Sequence, residues 1–101
     1  MAATTATVGS PAAASRSQCN LNHLGKLCLW TGTNYTGSFY ADSLGKYCTT
    51  DGSATHRSAE NMNNWVVVLY SGASCTGTAV TLTAGQERSN LGISARSWRA
   101  V

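Results

Sequence analysis

The apolar positions of the chain gather into short runs separated by Gly, Ser, Thr and Asn, a pattern typical of β-strands joined by turns. The clearest run, Trp-Val-Val-Val-Leu-Tyr at 65–70, is β-branched and aromatic and predicts a central strand. Alternation in the first strand, 27–30, places Leu27 and Leu29 on one face and Cys28 and Trp30 on the other. Further strands are predicted at 38–41, 47–48, 78–83 and 95–101, and a loop at 84–90.

The segment 27–41 recurs at 67–81, which marks a duplicated supersecondary unit. In each copy an aromatic residue ends an apolar run, a glycine-bearing turn follows, and a second run begins. Glycine suits the positive-φ positions of such turns, so each copy is predicted to be a β-hairpin. With a constant offset of 40, Leu29, Trp30, Gly32, Thr36 and Gly37 correspond to Leu69, Tyr70, Gly72, Thr76 and Gly77.

Length and composition indicate one small domain. The chain has 101 residues, and only 11% are charged, against the usual quarter. Residues 1–17 are rich in Ala, Thr and Ser, include the only proline, Pro11, and lack hydrophobic periodicity. They are expected to be a disordered leader or pro-segment remnant, and an Ala-rich helix is disfavoured by the threonines and Pro11. A single domain is expected at 18–101.

Charge and motifs exclude several classes of function. The net charge is +3 with scattered Lys and Arg, whereas nucleic-acid binding needs a concentrated basic patch. No apolar run approaches 18 residues, and the N-terminus lacks the features of a signal peptide, so we expect no membrane span and an export signal already removed. No nucleophile elbow, phosphate loop or metal-binding pair is present, which argues against an enzyme and against a cofactor.

Four cysteines in so short a chain indicate disulfides and an oxidising compartment. From the residues alone, three pairings are possible. A zinc site built from four Cys and two His is disfavoured because no CxxC pair exists.

One motif resembles the Greek-key signature of the βγ-crystallin superfamily: an aromatic residue, four residues, a second aromatic residue, any residue and then Gly. Trp30, Tyr35 and Gly37 fit it fully, whereas Tyr70 and Gly77 fit it with Cys75 in place of the second aromatic residue. The phrase at 28–37 also resembles the small secreted bacterial members of the superfamily, the streptomycete metalloproteinase inhibitor family.

The resemblance implies an all-β fold of two Greek-key motifs, 19–64 and 65–101, packed as a βγ-crystallin-like sandwich. It implies a local bridge before the first strand, Cys19–Cys28, and with it Cys48–Cys75. The packing expected of such a sandwich gathers four aromatic residues near one core: Trp30, Trp65, Tyr70 and Trp98.

Calcium-binding βγ-crystallins carry two Asn/Asp, two spacers and Ser/Thr-Ser before the last strand of each motif. The second half of this chain keeps only Asn90 and Ser94, and the first half keeps almost nothing. Because calcium prefers several oxygen ligands that include carboxylates, we expect at most weak calcium binding and no metal centre.

The resemblance further implies a secreted, monomeric and non-enzymatic inhibitor of extracellular peptidases, with metallopeptidases as the suggested targets. A stapled loop suits an inhibitor because stiffness lowers the ordering cost of binding. A bridge between Cys48 and Cys75 would fasten 47–50 against the turn at 74–76, with Tyr47 filling an apolar pocket of the peptidase. For Tyr47, the alternative is a half-buried position beside a purely stabilising disulfide. For the function, the alternatives are a killer-type or antimicrobial toxin or cell-surface binding module, and a calcium-stabilised structural protein. The protease-contact hypothesis comprises Leu44, Tyr47, Cys48, Thr49, Ser74 and Thr76.

Overall fold

A computed structural model describes residues 18–50 and 54–101, so the leader predicted at 1–17 lies outside the described residues. Within them the chain forms eight strands and one 3-10 turn, Leu21–His23, without an α-helix. No helix in these two ranges reaches the length and hydrophobicity that crossing a bilayer requires. The strands are β1 Leu27–Trp30, β2 Phe39–Asp42, β3 Thr49–Thr50, β4 Ser58–Asn61, β5 Val67–Tyr70, β6 Ala79–Leu82, β7 Glu87–Arg88 and β8 Ser97–Ala100.

Two antiparallel four-stranded sheets carry the fold, and each contains one strand from the other half of the chain. The first sheet has the order β2-β1-β4-β7, and the second has the order β3-β8-β5-β6. The short strand β3 therefore pairs with β8, and β7 pairs with β4. This exchange ties the halves together, and the predicted all-β class is confirmed.

Two of the local predictions are wrong. The strand predicted at 47–48 begins two residues later, at Thr49, because Tyr47 lies outside the regular pairing of β3 with β8. The loop predicted at 84–90 contains the strand β7, which pairs with β4 and could not be recognised from two charged residues, Glu87 and Arg88.

The main core lies between the sheets and holds Leu27 and Leu29 together with Trp98, all without exposed surface. The other face of β1 is also buried: Cys28 and Trp30 form a second cluster with Cys19. The alternation predicted for β1 is therefore confirmed, and this strand is apolar on both faces. The main core comprises Leu27, Leu29, Leu44, Ala59, Val67, Leu69, Leu82, Leu91, Ala95, Trp98 and Ala100.

The prediction of one shared aromatic core is wrong. Trp30 belongs to the second cluster, in edge contact with Tyr35, and Trp98 belongs to the main core. Tyr70 is half-buried. Trp65 is 46% exposed, because strand β5 starts only at Val67 and Trp65 lies beyond the end of the sheet.

Candidate functional site

Both hairpins fold alike, and in the second half of the chain the hairpin turn carries a cysteine. Ser74 and Cys75 have φ values of 57° and 58°, and Asn34 and Tyr35 have φ values of 56° and 59° at the equivalent positions. The amide of Cys75 donates a 2.8 Å hydrogen bond to Oγ of Ser97. Its side chain forms a disulfide with Cys48, with the two Cα atoms 5.9 Å apart. The remaining cysteines, Cys19 and Cys28, are joined in a second disulfide.

The Cys48–Cys75 disulfide closes one side of a loop that is fixed at several points. Leu44, before the loop, is buried in the main core, and the carbonyl of Gly45 accepts a 2.9 Å hydrogen bond from the amide of Ala100. After the loop, Thr49 pairs with Trp98 and Thr50 with Ser97. The chain between Gly45 and Cys48 is therefore short and anchored at both ends.

Lys46 and Tyr47 form a two-residue bulge in this loop. If the register of Thr49 with Trp98 continued regularly, Tyr47 would lie opposite Ala100. The amide of Ala100 bonds to Gly45 instead, so Lys46 and Tyr47 are extruded from the ladder. Both residues are exposed, and Tyr47 is 89% exposed.

The equivalent strand pair in the second half of the chain has no such bulge. Glu87 lies opposite Glu60, and regular continuation places Gln86 opposite Asn61. The amide of Asn61 does bond to the carbonyl of Gln86, at 2.9 Å. The bulge is therefore a feature of one half of a duplicated fold, and neither the hairpin nor the sheet requires it.

The structure brings most of the predicted contact residues together around the bulge. Cys48 is exposed, Thr49 is half-buried, and both Ser74 and Thr76 are exposed on the disulfide-linked turn. The amide of Ser74 donates a 3.3 Å hydrogen bond to Oγ1 of Thr50, which adds a second link between turn and loop. The alternative in which Tyr47 is half-buried in the sheet does not describe this structure.

Leu44 is predicted as a contact residue but is buried, whereas Lys46 is exposed and is absent from the prediction. Leu44 is only 9% exposed because its side chain packs in the main core, so it anchors the loop and offers no contact surface. Sequence reasoning misses Lys46 because the two-residue bulge lengthens this segment by just one position. Gly37 to Thr49 spans 12 positions and Gly77 to Arg88 spans 11, although Thr49 and Arg88 hold equivalent places in the ladders.

The two calcium candidates lie on the surface. Asn90 and Ser94 are exposed, and Oδ1 of Asn90 accepts a 2.9 Å hydrogen bond from the amide of Gly92. Within residues 18–50 and 54–101, no three side chains of His, Cys, Asp or Glu are grouped so as to hold a metal ion. The asparagine serves a local turn in this arrangement.

Comparison with known proteins places this geometry in context. A chain from a solved structure reported as "Evolution of the eye lens beta-gamma-crystallin domain fold" superposes with a TM-score of 0.64 at 12% identity. The match covers 77% of this chain and 86% of that one, and at this identity it shows the fold alone. No curated protein sequence matches the chain.

The family comparison is more specific than the fold. The sequence model of peptidase inhibitor family I36 matches residues 12–82, more than half of the chain. The match includes both hairpins and the bulged loop between them. The chain belongs to peptidase inhibitor family I36, a family of inhibitors and not of enzymes.

Proposed function

We propose that this protein is secreted and inhibits an extracellular peptidase by inserting the Lys46–Tyr47 bulge into the peptidase cleft. Extracellular metallopeptidases are the proposed target class. The observation that carries the proposal is the bulge itself, an aromatic side chain 89% exposed on a two-residue projection between two fixed points. A tyrosine exposed to this degree does not contribute the stabilising free energy that burial of its ring would give.

Rigidity is the physical basis of the proposal. A loop that is already ordered loses little conformational entropy on binding, and each immobilised side chain or loop residue otherwise costs about 0.5–1.5 kcal/mol. The Gly45–Ala100 hydrogen bond and the Cys48–Cys75 disulfide restrain the bulge before it meets a partner. The same restraint would keep the loop from relaxing into a cleavable conformation.

The proposed contact surface has a centre and a rim. Tyr47 is the centre, where its ring would fill an apolar pocket, and Lys46 offers the adjacent positive charge. Ser74 and Thr76 are exposed on the disulfide side, and the Thr76 hydroxyl donates a 2.7 Å hydrogen bond to the carbonyl of Ala73. Cys48 and Thr49 hold the backbone in place, whereas Leu44 supports the loop from the core.

Titration against a panel of secreted peptidases tests the proposal: thermolysin-like metallo-, subtilisin-like serine and papain-like cysteine enzymes. We expect stoichiometric inhibition of one class, with the inhibitor recovered uncut. Tyr47→Ala should weaken that inhibition by an order of magnitude or more, as is typical for a central interface residue. Thr81→Ala, an exposed position on β6 at the far edge of the same sheet, is the matched control and should inhibit normally.

A folded, oxidised protein that inhibits no enzyme of the panel would overturn the proposal. Binding to glycans, or inhibition of microbial growth, would then favour the toxin or cell-surface binding function. Inhibition that persists at full strength in Tyr47→Ala would keep the inhibitor function and reject the bulge as its centre.

A further inference from the structure

Trp65 is the exposed indole among the three tryptophans of the chain. Trp30 and Trp98 have no exposed surface, whereas Trp65 is 46% exposed. Tryptophan is the residue type that most often dominates the energy of protein–protein interfaces, together with tyrosine and arginine. An exposed tryptophan on a small protein with a modest core therefore calls for a role at the surface.

The backbone of Trp65 is held on both sides. Its amide donates a 2.9 Å hydrogen bond to Oδ1 of Asn63, and its carbonyl accepts a 2.8 Å hydrogen bond from Nδ2 of Asn61. Asn61 is fully buried, and its Nδ2 also lies 3.3 Å from the carbonyl of Leu82. The indole therefore projects from a fixed backbone, so that binding need not order the main chain at this position.

Trp65 and Tyr47 lie at the same end of the second sheet, on opposite sides of β8. On one side of β8, the carbonyl of Gly45, next to the bulge, accepts a hydrogen bond from the amide of Ala100. On the other side, the carbonyl of Val66, next to Trp65, accepts a 2.9 Å hydrogen bond from the amide of Val101. Adjacent strands are about 4.8 Å apart, so the two anchoring backbone segments are about 10 Å apart. Two exposed aromatic residues, each on an anchored backbone segment, thus flank the end of one strand.

We propose that Trp65 is a second anchor for the target peptidase, and that the end of the second sheet between Trp65 and Tyr47 is one continuous binding surface. This inference rests on the inhibitor function proposed above. A stable interface covers about 800 Å² on each partner, and one aromatic side chain buries about 150–250 Å². The bulge alone is too small, and Trp65 supplies the adjoining apolar area.

Charge defines the partner surface further. The segments 43–50 and 62–71, which carry Tyr47 and Trp65, contain no acidic residue. Acidic residues adjoin these segments in the chain at Asp42, Asp51 and Glu60. Lys46 adjoins Tyr47, and Arg99 is exposed on β8 between the two segments. The partner surface that complements these aromatic and cationic side chains is therefore an apolar recess with acidic groups at its rim. Such a recess is expected of a peptidase cleft that accepts aromatic side chains and excludes acidic ones.

The test combines inhibition kinetics with a spectroscopic readout. Trp65→Ala should raise the inhibition constant by about tenfold or more, and Trp65→Phe should recover most of the loss because it restores an aromatic side chain. In protein labelled with 5-fluorotryptophan, addition of the peptidase should shift the ¹⁹F resonance of Trp65. The resonances of Trp30 and Trp98 are internal controls and should stay in place, because both indoles are fully buried.

The outcomes separate the inference from the function on which it rests. If the wild-type protein inhibits and Trp65→Ala inhibits equally, with an unmoved Trp65 resonance, the second anchor is rejected while the inhibitor function stands. If the wild-type protein inhibits no peptidase, both are rejected. A loss of inhibition in Trp65→Ala accompanied by a lowered melting temperature, with no shift of the Trp65 resonance in the wild-type complex, would show a structural role and would also reject the anchor.

Discussion

Ser97 stands in the second half of the domain where Ser58 stands in the first, and each hydroxyl group makes the same two hydrogen bonds to its hairpin turn. Oγ of Ser97 donates to the carbonyl of Gly72 at 2.6 Å and accepts from the amide of Cys75 at 2.8 Å. Oγ of Ser58 donates to the carbonyl of Gly32 at 2.7 Å and accepts from the amide of Tyr35 at 3.0 Å. A buried serine thus fixes both turns, and in the second half it fixes the one that carries the loop disulfide.

Ser97→Ala should destabilise the domain by about 1–3 kcal/mol, because it leaves the Gly72 carbonyl and the Cys75 amide without their partner. Denaturant unfolding of the oxidised protein measures the change in unfolding free energy. Ser94→Ala is the matched control: Ser94 is exposed, and the substitution should stay within about 0.5 kcal/mol of the wild type. Equal stability of the two variants would contradict a structural role for the Ser97 hydroxyl.

Gly72→Ala tests the tight approach inside the same hairpin. A Cβ atom at Gly72 would lie 2.6 Å from Oγ1 and 2.9 Å from the carbonyl oxygen of Thr76, so the backbone must move. A loss of about 1–3 kcal/mol in unfolding free energy is expected, as for other overpacked sites. At Gly45 a Cβ would meet no atom within 4 Å, so Gly45→Ala should be neutral or stabilising. Comparable losses at both glycines would show that the hairpin contact is not responsible.

The fold was accessible from the sequence because local signals agree with it. The repeated glycines mark backbone positions with positive φ, 84° at Gly37 and 87° at Gly77, which the equivalent positions of the two halves share. Alternation in Leu27–Trp30 gave both buried faces of β1. These features depend on a few neighbouring residues, and a sequence records them directly.

The site was only partly accessible, since its geometry depends on pairing between distant strands. The bulge at Lys46 exists because Ala100 bonds to Gly45, and nothing local to residues 44–48 encodes that register. Trp65 continues an apolar run in the sequence, which predicts a place in the core, yet strand β5 begins only at Val67. Burial of Leu44 likewise follows from tertiary packing against the core.

Calcium should leave the stability of the domain unchanged. A ligand that binds only the folded state adds to the free energy of unfolding, by about 2.7 kcal/mol at a hundred times its dissociation constant, and thereby raises the melting temperature. The exposed Asn90 and Ser94 bring no carboxylate with them, so millimolar calcium and a chelator should give the same melting temperature. A rise of several degrees with calcium would show a site and would reinstate these two residues as candidate ligands.

Removal of the loop disulfide should separate the stability of the domain from its activity. Replacing Cys48 and Cys75 together by serine opens a bridge with a sequence separation of 27, for which a loss of about 3–4 kcal/mol is expected. The Gly45–Ala100 hydrogen bond would remain, but the bulge would be free on its other side. Inhibition should therefore weaken more than in Ser97→Ala, which keeps the bridge. The inhibition constants of both variants should be measured at a temperature where each is fully folded, so that a difference does not reflect unfolding. Undiminished inhibition by the folded double variant would show that the bulge acts without its staple.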